Sequence, residues 1–245
     1  MDIEKIVNWI REQVKNANSK GVVLGLSGGI DSSVTAVLCK KAFPKNTLAL
    51  IMPCFSNKKD IEDAKLIAKK FKIKYKKIDL GSTLEKLLYD IDKKRYNEKC
   101  EKNLEIANMK ARLRMLTLYY FANKLNYLVV GCGNKSEIKI GYFTKYGDSA
   151  CDIMPIGNFL KRDVKKIAKE IGIPKEIIEK PPSAGLWKEQ TDEKELGISY
   201  DELDTVIEKI EKNDLECVNK KILKKVQDMI KKSEHKRRMP KIFLR

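Results

Sequence analysis

Val22-Val23-Leu24-Gly25-Leu26-Ser27-Gly28-Gly29-Ile30-Asp31-Ser32-Ser33 is the stretch that decides the fold. Val22 to Leu26 is a short apolar run bounded by glycine, the pattern of a buried strand, and the chain passes from it through two adjacent glycines into a helical segment from about Asp31 to Ala42. Paired glycines let backbone N–H groups approach an anion closely, the serines add hydroxyl donors, and the helix presents its positive N-terminal end to the same spot. A polyphosphate suits such a loop. The loop lacks the Gly-Lys-Ser/Thr ending of a Walker A motif and does not fit G-x-G-x-x-G, so kinase-like phosphate transfer and Rossmann dinucleotide binding lose support. Asp31 beside a polyphosphate is tolerable if it holds Mg²⁺, which screens both negative partners. The bland alternative is a Gly-Gly turn with Asp31 as helix N-cap.

Outward from this loop, strands and helices alternate. Ile3, Ile6, Val7, Ile10 and Val14 recur at helical spacing before Gly21. Beyond Ala42 the pattern predicts a strand over Thr47 to Met52, a helix near Asp60 to Phe71 and a strand over Ile73 to Leu80. A long helix from Cys100 to Leu125 and a strand from Tyr127 to Gly131 follow. This order predicts an α/β fold with a parallel sheet covered by helices on both faces. From Gly133 to Pro155 the chain has no clear period and is too long to be an idle connection, so chemistry is expected there. Lys161 to Ile171, Ser199 to Ile210 and Leu215 to Ser233 read as helices, and no internal repeat is apparent.

The 245 residues are enough for one generous domain, expected to span 1–245. Lys and Arg number 51 against 34 Asp and Glu, a formal charge of +17, which invites anionic partners. The basic residues come mostly as dispersed Lys-Lys pairs such as Lys40-Lys41 and Lys231-Lys232, better suited to solvated helix faces than to a nucleic-acid stripe. The six cysteines form neither a C-x-x-C pair nor a dense disulfide framework, and reduced thiols are expected. Met1-Asp2-Ile3-Glu4-Lys5 opens an amphipathic pattern rather than a cleavable signal, and no apolar run approaches the ~20 residues needed to cross a bilayer, so a cytoplasmic location is expected.

One rival reading comes from the same loop. Gly25-Leu26-Ser27-Gly28-Gly29 satisfies G-x-S-x-G, and Ser27, a later Asp and His235 follow hydrolase-triad order. Against it stand the Asp-Ser-Ser continuation, which a nucleophile elbow does not need, and the position of the lone histidine in the basic run His235-Lys236-Arg237-Arg238.

Ser-Gly-Gly-Ile-Asp-Ser-Ser after a strand resembles the signature of the ATP pyrophosphatase (N-type) superfamily. Gly131-Cys132-Gly133-Asn134-Lys135-Ser136-Glu137, Gly141-Tyr142-Phe143-Thr144-Lys145-Tyr146-Gly147-Asp148, Pro182-Ser183-Ala184-Gly185-Leu186-Trp187, Gln190-Thr191-Asp192-Glu193 and His235-Lys236-Arg237 resemble the NAD synthetase family in order and spacing, over nearly the whole chain. The resemblance implies an adenine-nucleotide hydrolase-like α/β fold, a homodimer, and amidation of deamido-NAD by ammonia with ATP cleaved to AMP and pyrophosphate.

It also implies roles. Gly25, Leu26, Ser27, Gly28, Gly29, Ile30, Asp31 and Ser32, with Cys132, Lys161 and Ser183, would bind ATP; Asp31 and Glu137 would hold Mg²⁺. Arg112, Lys145, Asp152, His235 and Lys236 would hold deamido-NAD, whose pyrophosphate and carboxylate suit cationic side chains. Asp148 would position ammonium and take its proton, and Asp31, Lys161 and Asp148 form the expected catalytic set. The helix from Cys100 to Leu125 is the expected dimer interface. Two departures stand out: Cys132 replaces a usual threonine, removing a hydroxyl, and Ser149 and Ala150 replace glycine, which implies a stiffer loop around Asp148 and Asp152.

A carboxylate becomes an amide in water only after it receives a leaving group, and AMP transfer provides one. The chain has no stretch resembling the glutamine amidohydrolase module of larger family members, so free ammonia is the expected nitrogen donor. The alternative within the superfamily is a tRNA-modifying enzyme, which the +17 charge would suit. The absence of paired cysteines and the presence of the GYFTKYGD stretch argue against it.

Overall fold

Four parallel strands form the centre of the molecule in the order β3-β2-β1-β4, flanked by eleven described α-helices. The computed structural model describes residues 2–93, 103–187, 190–216 and 218–243. Cys100, the start of the predicted long helix through residue 102, and Cys217 lie outside the described residues.

Each strand owes its place to its sequence. β1 (Gly21–Gly25) is buried and pairs with β2 (Thr47–Ile51) on one side and β4 (Tyr127–Val130) on the other. β3 (Lys74–Lys77) lies at the edge beside β2 and is exposed throughout. It is shorter than the predicted Ile73 to Leu80. The lysines suit an open edge, and beyond Lys77 only single bonds, Ile78 N–H to Ile51 and Leu80 N–H to Pro53, continue toward β2.

Helices cover both faces, as the alternation predicts. On one face α1 (Ile3–Asn16), α2 (Ile30–Ala42), α3 (Lys58–Lys70) and α7 (Lys161–Glu170) pack Val7, Ile10, Val34, Leu38, Ile67 and Ile167 against the sheet. The other face is covered by α4 (Gly81–Asp92) and α5 (Leu104–Leu125). Leu84 and Leu88 dock α4 one turn apart, a helix hidden in the sequence behind its turn-like Gly-Ser-Thr start. Asn103 caps α5 by accepting from the Ile106 N–H at 2.9 Å, and Asn126 ends it in the left-handed conformation.

The stretch Gly133 to Pro155 is not wholly irregular. It contains α6 (Lys135–Ile140), one and a half turns set by a capping box in which the Asn134 side chain accepts from the Glu137 N–H at 3.0 Å while Glu137 accepts from the Asn134 N–H at 3.3 Å. So short a helix shows no period. Two further short helices, α8 (Lys175–Ile178) and α9 (Asp192–Leu196), precede α10 (Tyr200–Glu211) and α11 (Lys220–Lys232), which pack together over Ile140 and Leu160. α11 begins five residues later than predicted because Asn219 caps it, accepting from the Lys221 N–H at 2.9 Å. Leu215, Glu216, Val218 and Asn219 lie outside that helix.

The strand order reverses between β1 and β4. In open parallel sheets this switch point, at the carboxyl ends of the two strands, leaves a crevice where ligands settle. The Gly-Gly loop follows β1 and the α6 capping box follows β4, so both reach that crevice.

Candidate active site

The Ser27–Ser33 loop is held open by its own side chains. Ser27 Oγ and Ser32 Oγ lie 3.0 Å apart, the Ser27 N–H donates to Ser32 Oγ at 3.2 Å and the Gly29 N–H to Ser27 Oγ at 3.3 Å. Ser32 and Ser33 hydroxyls both donate to the Gly29 carbonyl, at 3.0 and 2.8 Å. Gly29 is the N-cap of α2 and makes no side-chain cap, which leaves the first-turn N–H groups to an incoming acceptor. Gly28 has φ +85, and a Cβ there would stand 2.3 Å from the Asp60 carbonyl of α3. Gly28→Ala should therefore destabilise the fold by about 1–2 kcal/mol from backbone strain alone, with the clash in addition, and lift the loop off α3. Calorimetric melting with an ATP titration checks this: the expected result is a lower melting temperature and weaker nucleotide binding.

Three charged residues from three elements meet in the crevice. Lys161, first residue of α7 and 2% exposed, reaches Asp31 Oδ2 at 2.5 Å and Glu137 Oε1 at 3.2 Å. The Asn134 amide donates to the other Asp31 oxygen at 2.9 Å. Burial opposes the Lys161 charge, but Asp31 and then Glu137 outweigh it and hold the ammonium more firmly charged than usual. Glu137 goes the other way: burial, offset in part by Lys161, pushes its carboxyl up to about 7. One cation thus faces two acids, and Asp192 lies near enough to act on both Lys161 and Glu137.

The raised Glu137 carboxyl ties the stability of the fold to pH. An unfolded glutamate releases its proton near the ordinary 4.5, whereas the folded chain retains it to about 7. The folded state then binds more protons between these values, so this group favours folding at the acid end and its contribution fades as pH rises through that window. Glu137→Gln should flatten this component of the melting-temperature profile; an unchanged slope would place the titration elsewhere.

A layer of residues the sequence reading left without roles surrounds the trio. The Tyr200 hydroxyl donates to Asp192 Oδ2 at 3.0 Å and lies 3.4 Å from Glu137 Oε1, and the Lys161 ammonium sits 4.8 Å over the Tyr200 ring. Tyr142 reaches Asp192 at 3.2 Å and Glu195 at 2.8 Å. Asp192 also accepts from the Ala184 N–H at 3.1 Å, which ties the Pro182–Trp187 loop, with Ser183, to this layer. Burial raises the Asp192 carboxyl despite Lys161, Tyr200 and Tyr142. Asp192 and Tyr142 stood inside the Gln190–Glu193 and Gly141–Asp148 strings, whereas Tyr200 had only its place at the start of the predicted Ser199–Ile210 helix as a signal, and Glu195 had none.

Cys132 lies beside the loop, its thiol 3.8 Å from the Gly25 carbonyl and pushed up to about 12 by burial. Ser149 donates to the Thr144 carbonyl at 3.0 Å, a tie that glycine could not make. Asp148 Oδ1 accepts from the Thr144 N–H at 2.8 Å. Ringed by protein though open to solvent, its carboxyl is pushed up by burial, with the Thr144 and Asp148 N–H groups and the Lys236 charge offsetting part.

A second cluster gathers around the Gly141–Asp148 segment. Arg112 donates to the Lys145 carbonyl at 3.3 Å, Lys145 to the His235 carbonyl at 2.6 Å, and Lys236 to Gly141 and Phe143 at 2.8 and 2.9 Å. Four of the five residues expected to hold deamido-NAD are thereby brought together. Asp152, the fifth, stands apart in the loop beside β4, accepting from the Val129 N–H at 2.7 Å and from the Tyr119 hydroxyl at 3.1 Å. No described hydrogen bond joins His235 to Ser27, so the hydrolase triad is not assembled.

No group of three or more His, Cys, Asp or Glu side chains among the described residues is arranged to hold a metal ion alone. The Asp31–Glu137 pair still fits Mg²⁺, which commonly takes one or two carboxylates and fills its remaining positions with water and substrate phosphate.

Known proteins share this fold. The family model described as NAD synthase matches residues 2–240. An NH(3)-dependent NAD(+) synthetase of Methanocaldococcus jannaschii is 52% identical over 97% of this chain and 94% of its own length. Among solved structures, an NMN synthetase from Francisella tularensis has a TM-score of 0.88 at 37% identity, covering 98% of this chain and 96% of its own. An NH3-dependent NAD synthetase from Campylobacter jejuni has a TM-score of 0.83 at 34% identity, covering 99% of this chain and 97% of its own.

Proposed function

The chain belongs to the NAD synthase family, and from that premise we propose that ATP and deamido-NAD meet in the crevice between β1 and β4, where ammonia completes the amide. The activity is ammonia-dependent synthesis of NAD, with ATP as co-substrate. The observation that carries the placement is the convergence of Asp31, Glu137 and Lys161 on one point beside the uncapped start of α2.

The Gly28–Ser32 backbone would receive the triphosphate, and Lys161 and Ser183 would contact it. Mg²⁺ held by Asp31 and Glu137 would screen charge on the phosphates. In the first step the nicotinate carboxylate oxygen bonds to the α-phosphorus as the bond to the β-phosphate oxygen breaks, releasing pyrophosphate. Lys161 and the α2 N–H groups are aimed at the negative charge that leaves. In the second step ammonia bonds to the carbonyl carbon, the bond to AMP breaks, and the proton shed by nitrogen passes to Asp148. Arg112, Lys145, His235 and Lys236, with Asp152 at the edge, would line the deamido-NAD site.

Residues 1–245 are read as one synthetase domain that uses free ammonia, working in the cytoplasm. No described helix is long and apolar enough to cross a membrane. Leu116 and Tyr120 of α5 are 63% and 58% exposed, one and two turns beyond Arg112 on the same side of the helix, which supports a homodimer across that helix. Sedimentation should give a dimer, and a charge placed at Leu116 should split it.

Deamido-NAD, ATP, Mg²⁺ and ammonium are incubated with the protein and the products separated by HPLC. Equal NAD and AMP are expected, with pyrophosphate. AMP without NAD would reject the reading. Because one similar structure is named for NMN synthesis, the mononucleotide acid belongs in a parallel reaction; faster turnover there would transfer the assignment to the smaller acceptor.

A further inference from the structure

Helix α10 carries a polar stripe that grips both site helices. Tyr200, Asp204 and Glu208 recur every four residues and so share one face. Tyr200 meets Glu137 of α6 and Lys161 of α7, while Glu208 pairs with the Arg162 guanidinium of α7. Asp204, between them, has no solvent exposure. One of its oxygens accepts from the Ser136 hydroxyl and the other from the Arg162 N–H at 2.8 Å, and the Ser136 hydroxyl oxygen in turn accepts from the Lys161 N–H at 3.0 Å.

α7 has no cap of its own, since its N-cap is Leu160. Its first two N–H groups are satisfied from elsewhere, by Ser136 of α6 and Asp204 of α10. Ser136 immediately precedes Glu137, and the Lys161 N–H belongs to the residue whose ammonium must reach Asp31 and Glu137. We propose that Asp204 is a positioning residue: through Ser136 and the uncapped start of α7 it fixes the backbone of Glu137 relative to that of Lys161, and so the separation of the acid and the cation at the ATP phosphates. The carboxylate also favours the positive end of α7. A buried charge is costly unless hydrogen-bonded on each oxygen, and here both oxygens serve this junction. This inference rests on the assignment of Asp31, Glu137 and Lys161 to the ATP site.

The test compares Asp204→Ala, Asp204→Asn and Ser136→Ala with Lys161→Met, following pyrophosphate release well below each melting temperature. Asp204→Ala should lower kcat by about 10- to 100-fold with KM for deamido-NAD within about two-fold, because loss of a supporting contact displaces groups that act on ATP. Asp204→Asn, which can still accept from Arg162 and donate to Ser136, should restore most of the rate. A purely structural role would lower the melting temperature while folded protein kept its kcat and KM, and that result overturns the inference. Should Asp204→Ala fail to fold, Ser136→Ala decides: reduced kcat at unchanged KM supports the role, and full kcat refutes it. Full turnover by Lys161→Met would instead overturn the site assignment and this inference with it. A loss in Lys161→Met beside native kcat in Asp204→Ala would overturn the inference alone.

Discussion

Asp31→Asn should reduce pyrophosphate release by about 10²- to 10³-fold or more while the fold survives, the scale seen when one aimed electrostatic group is removed from a transition state. Asparagine keeps the shape of the side chain and an oxygen for the Asn134 amide, which contacts Asp31 at 2.9 Å. It removes the charge that meets Lys161 at 2.5 Å and that would hold Mg²⁺ beside the α2 N-terminus. Lys161 retains Glu137, so the lysine is not left buried and alone. Melting should therefore shift modestly while turnover collapses. Near-normal turnover in a correctly folded variant would refute Asp31 as the metal-side carboxylate.

Lys161→Met combines two losses. Methionine can occupy the path of the buried alkyl chain, but the ammonium vanishes from between Asp31 and Glu137. Breaking a buried pair from one side commonly costs about 3–5 kcal/mol, since the remaining charge has no partner. Two acids are left here, although each keeps some exposure, at 17% of the side chain, and relaxation toward water lowers the cost. Glu137 already holds its proton to about pH 7 with Lys161 present, and in the variant burial would be opposed by the Asn134 N–H but no longer by the Lys161 charge. The instability should thus be greatest in alkaline solution and shrink as pH falls and Glu137 takes up its proton. Pyrophosphate release should fall by about 10²-fold or more at every pH, because protonation of Glu137 does not replace a cation at the phosphates. Melting curves and rates across pH check both halves. A pH-independent loss of stability, or a rate that recovers in acid, would contradict this account.

The parallel sheet and the loop after β1 were legible because their signals are local. Val22 to Leu26 is apolar without interruption, and the glycines at Gly28 and Gly29 have few other uses. α4 was hidden by its Gly-Ser-Thr opening, and α6 by being too short to show a period, although its Asn134–Glu137 capping box stands in the sequence. The site divides along the same line. Asp31 and Glu137 sit in strings carrying a family resemblance, and Lys161 is implied by it as a single position outside those strings. Asp192, Tyr200 and Asp204 act through contacts with residues distant in sequence, Ser136 and Asp204 being 68 positions apart. Such pairings exist only once α10 has folded across α6 and α7. Asp152 shows the opposite case, a residue implied for the substrate whose oxygens are engaged by β4 and α5 in the free chain.

The placement of ATP is tested most directly by a crystal structure of the protein with a non-hydrolysable ATP analogue and Mn²⁺ in place of Mg²⁺, collected so that manganese scatters anomalously. The account predicts the triphosphate against the Gly28–Ser32 N–H groups and an anomalous peak bound by both Asp31 and Glu137. Nucleotide lying elsewhere, or manganese bound away from these two carboxylates, would contradict it.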